Sequence, residues 1–434
     1  MRERRPERRH DRRHDRRIEG FARGGAIALR FEGRELRAFE DEPVAVALFA
    51  SGVQVLARSI KYHRPRGFFC LSGHCGACLM RVGGVPNVKA CQTPSADGLA
   101  VERQNAWPSA SLDVLGAADF AFPAGFDPHT FMTRPRALNE VMQALVRRLA
   151  GLGRLPDEAA PPLPVRFARP RVLVIGGGPA GLTAARAAAR TGGEVLLIDD
   201  QARPGGRLLS DAAYGPAAAH VMSEAARAAG ATLLGRAAAF GFYAEEGGIV
   251  GVATPGGLLL VRAERVIVAT GGYAQNAVFP GNDLPGVLPA RAAGRLLVLH
   301  GVRPASRAVV AGAGEESDAI TAVLTNAGVP VTRTAAVALA KGRACVRSVT
   351  TAEGAEVECD GVVVCEPLSP ASEIARQLGA EVGLSDEAGG FAVVADDRGR
   401  TRAEGVHACG DVRGAGSVRE AIASGEAAGQ EASP

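Results

Sequence analysis

The sequence predicts an α/β protein in two parts, a small sheet domain in front and a larger doubly wound domain behind. Three observations predict it. Residues 26–102 alternate short β-rich runs with one helix and a tight group of cysteines. From residue 171 onward, short apolar strands alternate with alanine-rich helices, the pattern of a parallel sheet covered on both faces. The chain has 434 residues, too many for one ordinary core.

Charge narrows the function classes. Residues 1–17 hold nine Arg against four acids, so the overall +4 resides in this arm. The rest carries 41 basic and 42 acidic residues, which excludes a basic nucleic-acid binder. An arginine run of this kind is expected to be a solvated, disordered arm. It lacks the apolar stretch of a secretory signal, and no run of 18 uncharged apolar residues predicts a membrane helix. Four of the eight cysteines are grouped, which in such a chain points to a metal site before a disulfide framework. That implies a reducing compartment, and the cytoplasm is expected.

Within the front domain, Ala26–Phe31 and Arg34–Phe39 read as strands of a hairpin turning at Glu32-Gly33. Residues 43–51 read as a helix with Asp41 as its N-cap and Gly52 at its end. Strands are expected at Leu79–Val82, 87–91 and 99–102. Hairpin, helix, cysteine loop and further strands follow the order of a β-grasp domain. Residues 104–167 are irregular, with one helix expected over 138–150 and a proline-rich linker over 156–164. Strands at Val172–Ile175, Val195–Ile198, 266–269 and 309–311 then alternate with helices such as 180–190 and 217–229.

Cys70, Cys75, Cys78 and Cys91 have the C-x4-C-x2-C spacing with a distant fourth cysteine of a plant-type [2Fe–2S] centre. Two irons need four soft thiolates, and Gly73, Gly76 and Ala77 let one loop turn sharply around them. Zinc also takes four cysteines and is the competing metal, although its sites usually pair two C-x2-C knuckles. His74 lies inside the loop and reads as an exposed residue rather than a ligand.

The strand Val172–Ile175 runs into Gly176-Gly177-Gly178-Pro179-Ala180-Gly181, a G-x-G-x-x-G turn opening a helix. Its glycines permit a tight turn and close approach of a pyrophosphate to the helix N-terminus. Asp199, with Asp200 as the neighbouring alternative, ends the next strand where a carboxylate would accept from ribose hydroxyls. Gly205-Gly206, Thr270-Gly271 and Gly410-Asp411 resemble, in that order, the three further flavin-contacting loops of two-dinucleotide-domain flavoproteins. Together they favour FAD over NAD. A second turn, Gly312-Ala313-Gly314-Glu315-Glu316-Ser317, begins what would be an NAD(P)-type insert. It is weaker, because Ser317 replaces the third glycine, two acids flank the turn and no acid ends the following strand, 329–334. Arg333 on that strand has the chemistry to meet a 2′-phosphate. Cys345, Cys359, Cys365 and Cys409 are isolated in sequence, so dithiol exchange of the thioredoxin-reductase kind is not expected.

The chain resembles the N-terminal half of the α subunit of heterotetrameric sarcosine oxidase. The resemblance runs through Lys61-Tyr62-His63-Arg64-Pro65-Arg66-Gly67, Gln104-Asn105-Ala106-Trp107-Pro108-Ser109, Phe131-Met132, Gly151-Leu152-Gly153 and residues 279–287 (FPGNDLPGV). It departs from those α subunits in carrying the four cluster cysteines. In that respect it is similar to the ferredoxin-like and FAD subunits of hydrogen cyanide synthase and of related opine and hydroxyproline dehydrogenases, fused in one chain. The chain ends at Pro434 without the folate-binding domain of the α subunit, so folate chemistry is not expected.

The resemblance implies an electron-relay subunit of a multi-subunit amine or amino-acid dehydrogenase or oxidase. The implied partner is an amine-oxidising FAD subunit in a hetero-oligomer, with the small-molecule amine handled by that partner. A self-contained NAD(P)H-dependent FAD/[2Fe–2S] reductase is the alternative. No residue is singled out as a catalytic acid or base. The expected division is a disordered basic arm (1–22), a ferredoxin-like [2Fe–2S] domain (23–105), a connecting segment (106–168), a first part of the FAD-binding domain (169–288), an NAD(P)-binding-like insert (289–392) and the second part of the FAD-binding domain (393–434).

Overall fold

The computed structural model describes residues 15–59, 63–105, 136–137, 139–141, 161–414 and 416–433. They fall into two compact units. One comprises Met1–Glu158, Val278–Leu288 and His300–Val364; the other comprises Ala159–Ala277, Pro289–Leu299 and Cys365–Pro434.

In the first unit, strands Ala26–Phe31 and Arg34–Phe39 pair antiparallel in the expected hairpin, with Glu32 and Gly33 both at positive φ. Ala26–Phe31 also pairs parallel with Ala100–Glu102, which pairs antiparallel with Leu79–Val82, and Val85–Lys89 closes the other edge. The helix Val44–Ala50 packs against this mixed sheet with all seven residues buried. Its sequence VAVALFA lacks an amphipathic stripe because no face of it meets water. Each large side chain in it contributes about 1.5–3 kcal/mol through burial. Pro43, and not Asp41, is its N-cap; Asp41 sits at φ 62 in the turn before it. Proline there sets the entry angle without a side-chain cap.

The same unit holds a parallel sheet of Gly361–Val364, Ala308–Ala311 and Val331–Thr334 with the helix Glu315–Asn326. It also holds an antiparallel sheet of Val337–Lys341, Ser348–Thr351 and Glu356–Glu358.

Composition assigns residues 15–22 to the solvated arm, but they carry fixed partners. Arg16 Nη2 lies 2.9 Å from Asp360 Oδ2, and its guanidinium stacks over the Phe49 ring. Arg17 Nη2 lies 3.0 Å from Glu42 Oε2, with only 6% of either side chain exposed. Backbone bonds from Arg16 N to Ala50 O and from Arg303 N to Arg16 O extend the attachment. Desolvated, charge-assisted arginine pairs overcome a segment's tendency to stay solvated. The remainder of the basic run, 1–14, lies outside the described residues, as does nearly all of the helix expected at 138–150.

In the second unit, five strands form one parallel sheet in the order Ala231–Leu234, Val195–Ile198, Val172–Ile175, Arg265–Val268, Val406–Ala408. Val172–Ile175 and Val195–Ile198 are buried on both faces, as their unbroken apolar runs require. The helices Pro179–Ala189 and Val418–Glu431 cover one face and approach closely: Gly425 and Gly429 abut the Ala180 and Ala184 backbone, where a Cβ would collide. A second sheet, Ala238–Tyr243, Ile249–Thr254, Gly257–Val261 and Val165–Ala168, packs on the apolar cluster of Leu173, Ile175, Val266 and Val268. No helix among the described residues is long and apolar enough to cross a membrane.

Candidate functional sites

The four grouped thiols are brought together as two pairs. Cys70 hydrogen-bonds with Cys75, and Cys78 with Cys91. Accepting from Cys75 holds the Cys70 thiol well below its usual value, and the bond from Cys91 likewise lowers Cys78. The donors in each pair are pushed up by the same bonds and then by burial.

Backbone amides also face the sulfurs: Ser72 N lies 3.4 Å from Cys70 Sγ and Ala77 N 3.5 Å from Cys75 Sγ. These donors are exposed by the turn that Leu71, Gly73 and Gly76 make at positive φ. Cys70, Cys78 and Cys91 are buried, whereas Cys75 is exposed.

Among the described residues, no three His, Cys, Asp or Glu side chains converge on a point where one metal ion could sit. Four cysteine thiols in the plant-type spacing, with backbone amides facing two of the sulfurs, fit the donor set of a [2Fe–2S] centre. His74 is exposed, with Nδ1 3.3 Å from Ser72 Oγ, and stays outside both pairs.

In the second unit, five segments that are distant in sequence converge. Gly176 sits at φ 110 with a backbone so close to Ala269 that any Cβ would strike its carbonyl. Gly177 N donates to Asp199 Oδ2 at 2.5 Å, and Gly205 N donates to Gly177 O at 2.7 Å. A Cβ on Gly206 would meet Gly178 Cα at 2.8 Å, and one on Gly410 would meet Ala180 Cβ at 2.7 Å. Gly181 abuts the Gly176 carbonyl. Pro179 opens the helix with Gly178 as N-cap, leaving its first amides unpaired for an anion. Thr270 Oγ1 donates to Ala371 O at 2.7 Å, which fixes the Thr270-Gly271 turn beside this loop.

Asp199 is buried, and burial followed by the charge of Asp200 raises its carboxyl to about 6. Its other oxygen accepts from Gln201 N at 2.8 Å. Asp200 is exposed next to it.

Asp411 is buried and clamped by two arginines that sequence reasoning missed. Arg291 Nη2 lies 3.0 Å from Oδ2, and Arg207 Nη1 lies 3.4 Å from Oδ1. Arg207 directly follows Gly205-Gly206, a signal that was available in the sequence. Arg291 comes from the helix Ala290–Gly294, 120 residues from its partner, and had no local signal.

The glycine backbone free of side chains, the strand-end carboxylate and the arginine-flanked Asp411 fit a flavin adenine dinucleotide. The pyrophosphate would meet the Gly178 turn and the first amides of the helix Pro179–Ala189, and the adenosine ribose would meet Asp199.

The second glycine turn lies in the first unit. Gly312 and Gly314 have φ of 114 and 89, and Ser317 Oγ donates back to Gly312 O at 3.0 Å. Arg333 is engaged by Asp318 at 2.7 Å. None of the eight cysteines forms a disulfide. Two of the segments that carry the family resemblance meet: Arg64 Nη1 lies 3.2 Å from Asp283 Oδ2, and Gly67 abuts Pro285. Residues 61–62, 106–109, 131–132 and 151–153 of those segments lie outside the described residues.

Comparison with known proteins agrees with this geometry. Residues 24–106 match the 2Fe-2S iron-sulfur cluster binding domain, so the chain carries such a domain. Residues 170–315 and 302–432 match the pyridine nucleotide-disulphide oxidoreductase model.

The alpha subunit of sarcosine oxidase from Rhizobium meliloti (strain 1021) is 35% identical over 306 residues, covering 64% of this chain and 31% of that one. An opine oxidase subunit from Agrobacterium tumefaciens (strain Ach5) is 26% identical over 321 residues, covering 59% of this chain and 64% of that one. The chain thus spans about a third of the length of the sarcosine oxidase polypeptide it matches. Among solved structures, L-proline dehydrogenase from P. horikoshii superimposes with a TM-score of 0.70 at 23% identity, covering 90% of this chain and 69% of that one, a likeness of fold.

Proposed function

Because the chain belongs to the pyridine nucleotide-disulphide oxidoreductases and carries a 2Fe-2S cluster binding domain, we propose that it is the electron-relay subunit of a multi-subunit amine or amino-acid dehydrogenase or oxidase. The substrate would be of the sarcosine, glycine, opine or hydroxyproline type. The partner would be a separate amine-oxidising flavoprotein, and the compartment the reducing cytoplasm. The observation that carries the reading is that one chain holds both the cluster-type cysteine set, Cys70, Cys75, Cys78 and Cys91, and the converging glycine loops around Gly176 with the arginine-held Asp411. Relatives that are themselves named as subunits of a sarcosine oxidase and an opine oxidase support it.

When bound, FAD exchanges electrons in pairs or singly and a [2Fe–2S] centre exchanges one at a time, so together they convert two-electron into one-electron transfer. The residues of this chain hold and tune these groups. Cys70, Cys75, Cys78 and Cys91 supply the thiolates, and the amides of Ser72 and Ala77 offset their charge. Gly176, Gly178, Pro179, Ala180, Gly181, Gly205 and Gly206 present backbone rather than side chain to the dinucleotide. Asp199, with Asp200 beside it, receives the ribose. Thr270, Gly271, Gly410 and Asp411 border the flavin end, with Arg207 and Arg291 holding the Asp411 carboxylate in place.

Isolation of the tagged chain from its native host tests the reading. It is expected to bring down an amine-oxidising flavoprotein, and anaerobic addition of that partner's amine is expected to give the EPR signal of a reduced cluster. A chain that elutes alone, with a cluster no amine reduces in the extract, would sink it. Stopped-flow mixing with NADH or NADPH separates the self-contained reductase, which alone predicts rapid bleaching of the flavin.

A further inference from the structure

The strand Val165–Ala168 forms one edge of the second unit's four-stranded sheet, beside Gly257–Val261. Leu258 N donates to Pro164 O at 2.9 Å, and Arg262 N donates to Ala168 O at 3.0 Å. In a parallel ladder alternate residues face the neighbouring strand, so Pro164, Arg166 and Ala168 turn their backbone groups inward. The N–H and C=O of Val165 and Phe167 point away from the sheet, and among the described residues nothing pairs with them.

The side chains match this open edge. Ala168 packs on the apolar cluster that holds Val252, Leu259 and Val261, so Phe167 and Val165 stand on the opposite, outward face. Phe167 is 72% exposed and Val165 49% exposed. Leu260 and Leu258 lie beside them in register. Toward the far edge the exposed Phe240 ring lies over Gly251. The outward face is thus an apolar band that runs to an unpaired backbone edge.

Charge selects what can pair there. Arg166 is the only charged residue in the four strands. It is exposed, and so is Arg169 just past the strand end. Neither has a carboxylate partner among the described residues. The stretch 163–171 (LPVRFARPR) holds three arginines and no acid. A second copy laid edge to edge would bring two unpaired arginines from each chain together, and like charges facing across strands oppose pairing. A segment with an acid opposite Arg166 gains a cross-strand ion pair as well as the backbone bonds of Val165 and Phe167.

We propose that the Val165–Ala168 edge receives an extended, acidic segment of a partner protein as a fifth strand. Apolar side chains of that segment join Val165 and Phe167 on the outward face, and a carboxylate of its other face meets Arg166. The assignment goes beyond the relay reading: it concerns how a partner is held and stands whatever that partner oxidises.

Calorimetric titration of the full chain with a short synthetic peptide alternating valine and glutamate tests it, with the same peptide carrying lysine for glutamate as the second probe. The glutamate peptide is expected to bind saturably and at least about tenfold more tightly than the lysine peptide. It is also expected to slow amide hydrogen exchange across residues 163–168. Arg166→Glu should reverse the order of the two peptides. Phe167→Pro removes an outward N–H and leaves the inward bonds of Arg166 and Ala168, so it should abolish binding of both. FAD content and Tm should stay at parent values in both variants; if Phe167→Pro lowers either, the charge reversal alone decides. Absence of glutamate-peptide binding would mean that Arg166 only guards the edge, and would overturn the assignment. Equal affinity for the two peptides, or an order unchanged in Arg166→Glu, would do the same. A parent chain that sediments as a dimer and a Phe167→Pro chain that sediments as a monomer would give the edge to a second copy instead.

Discussion

Arg291 and Asp411 form an ion pair of 3.0 Å in which the Asp411 side chain is only 8% exposed. Arg207 takes the opposite oxygen at 3.4 Å, so two cations share one buried carboxylate. Removing one partner of a buried pair costs about 3–5 kcal/mol, and Arg207 should hold the loss below that range. Arg291→Leu is therefore expected to lower stability in urea by about 2 kcal/mol and to reduce FAD retention on gel filtration. Arg207→Leu should act in the same direction, and the double variant should lose more than the two single losses combined, since it leaves Asp411 uncompensated. Strict additivity would mean that the two arginines do not share this carboxylate.

Cys78→Ser removes one thiolate from the buried Cys78–Cys91 pair and leaves the second unit untouched. FAD content should match the parent, while visible cluster absorbance and reduced-state EPR disappear. Metal analysis of the parent should give about two irons and two sulfides per chain. One zinc per chain and no sulfide would show that the paired thiols had been misread.

Asp199 sets a pH dependence. Its folded value, about 6, lies above the usual carboxylate range because of burial and the neighbouring Asp200. Without nucleotide, its contribution to stability is fully present below about pH 4 and is lost as pH rises through its folded value. Ribose hydroxyls donate to the ionised form, so FAD binding runs the other way and favours higher pH. FAD affinity of the apo chain is expected to fall by up to about tenfold per pH unit below that value. Fluorescence titrations at several pH values between about 5 and 8 would check this. A flat profile would move the ribose contact to Asp200.

Ser417 caps the helix Val418–Glu431 in a capping box, accepting from Glu420 N at 3.2 Å while Glu420 Oε2 accepts from Ser417 N at 2.8 Å. Ser417→Ala should cost about 1 kcal/mol in denaturant unfolding. The loss should localise to hydrogen exchange in the first turns of that helix, which packs on the helix Pro179–Ala189.

The parts of the fold that were legible in the sequence are those set by short-range rules. The hairpin Ala26–Phe31 and Arg34–Phe39, the strand Leu79–Val82 and the strands at Val172–Ile175 and Val195–Ile198 fall where periodicity and turn residues place them. The four glycine loops that converge in the second unit were legible because glycines at close backbone approaches leave a residue-level trace. Arg291 and Arg16 were not. Each acts on a partner 120 or 344 residues away, and a side chain recruited across such a distance leaves no spacing to read. The Asp41 assignment failed for a related reason: a proline can set a helix entrance by its fixed φ without any capping side chain.

The anchoring of Arg16 and Arg17 bears on modularity. Composition draws the border of the cluster domain at residue 23, yet the fastening residues lie upstream of that line. Arg17 grips Glu42 on the helix side of the domain, and Arg16 grips Asp360, far along the chain. A graft of residues 23–105 into another reductase would arrive without its rivets, and a truncation at the same border would leave Glu42 and Asp360 without their arginines. The ferredoxin-like portion is thus a fitted part rather than an interchangeable cartridge, and its exchangeable boundary lies at or before residue 15.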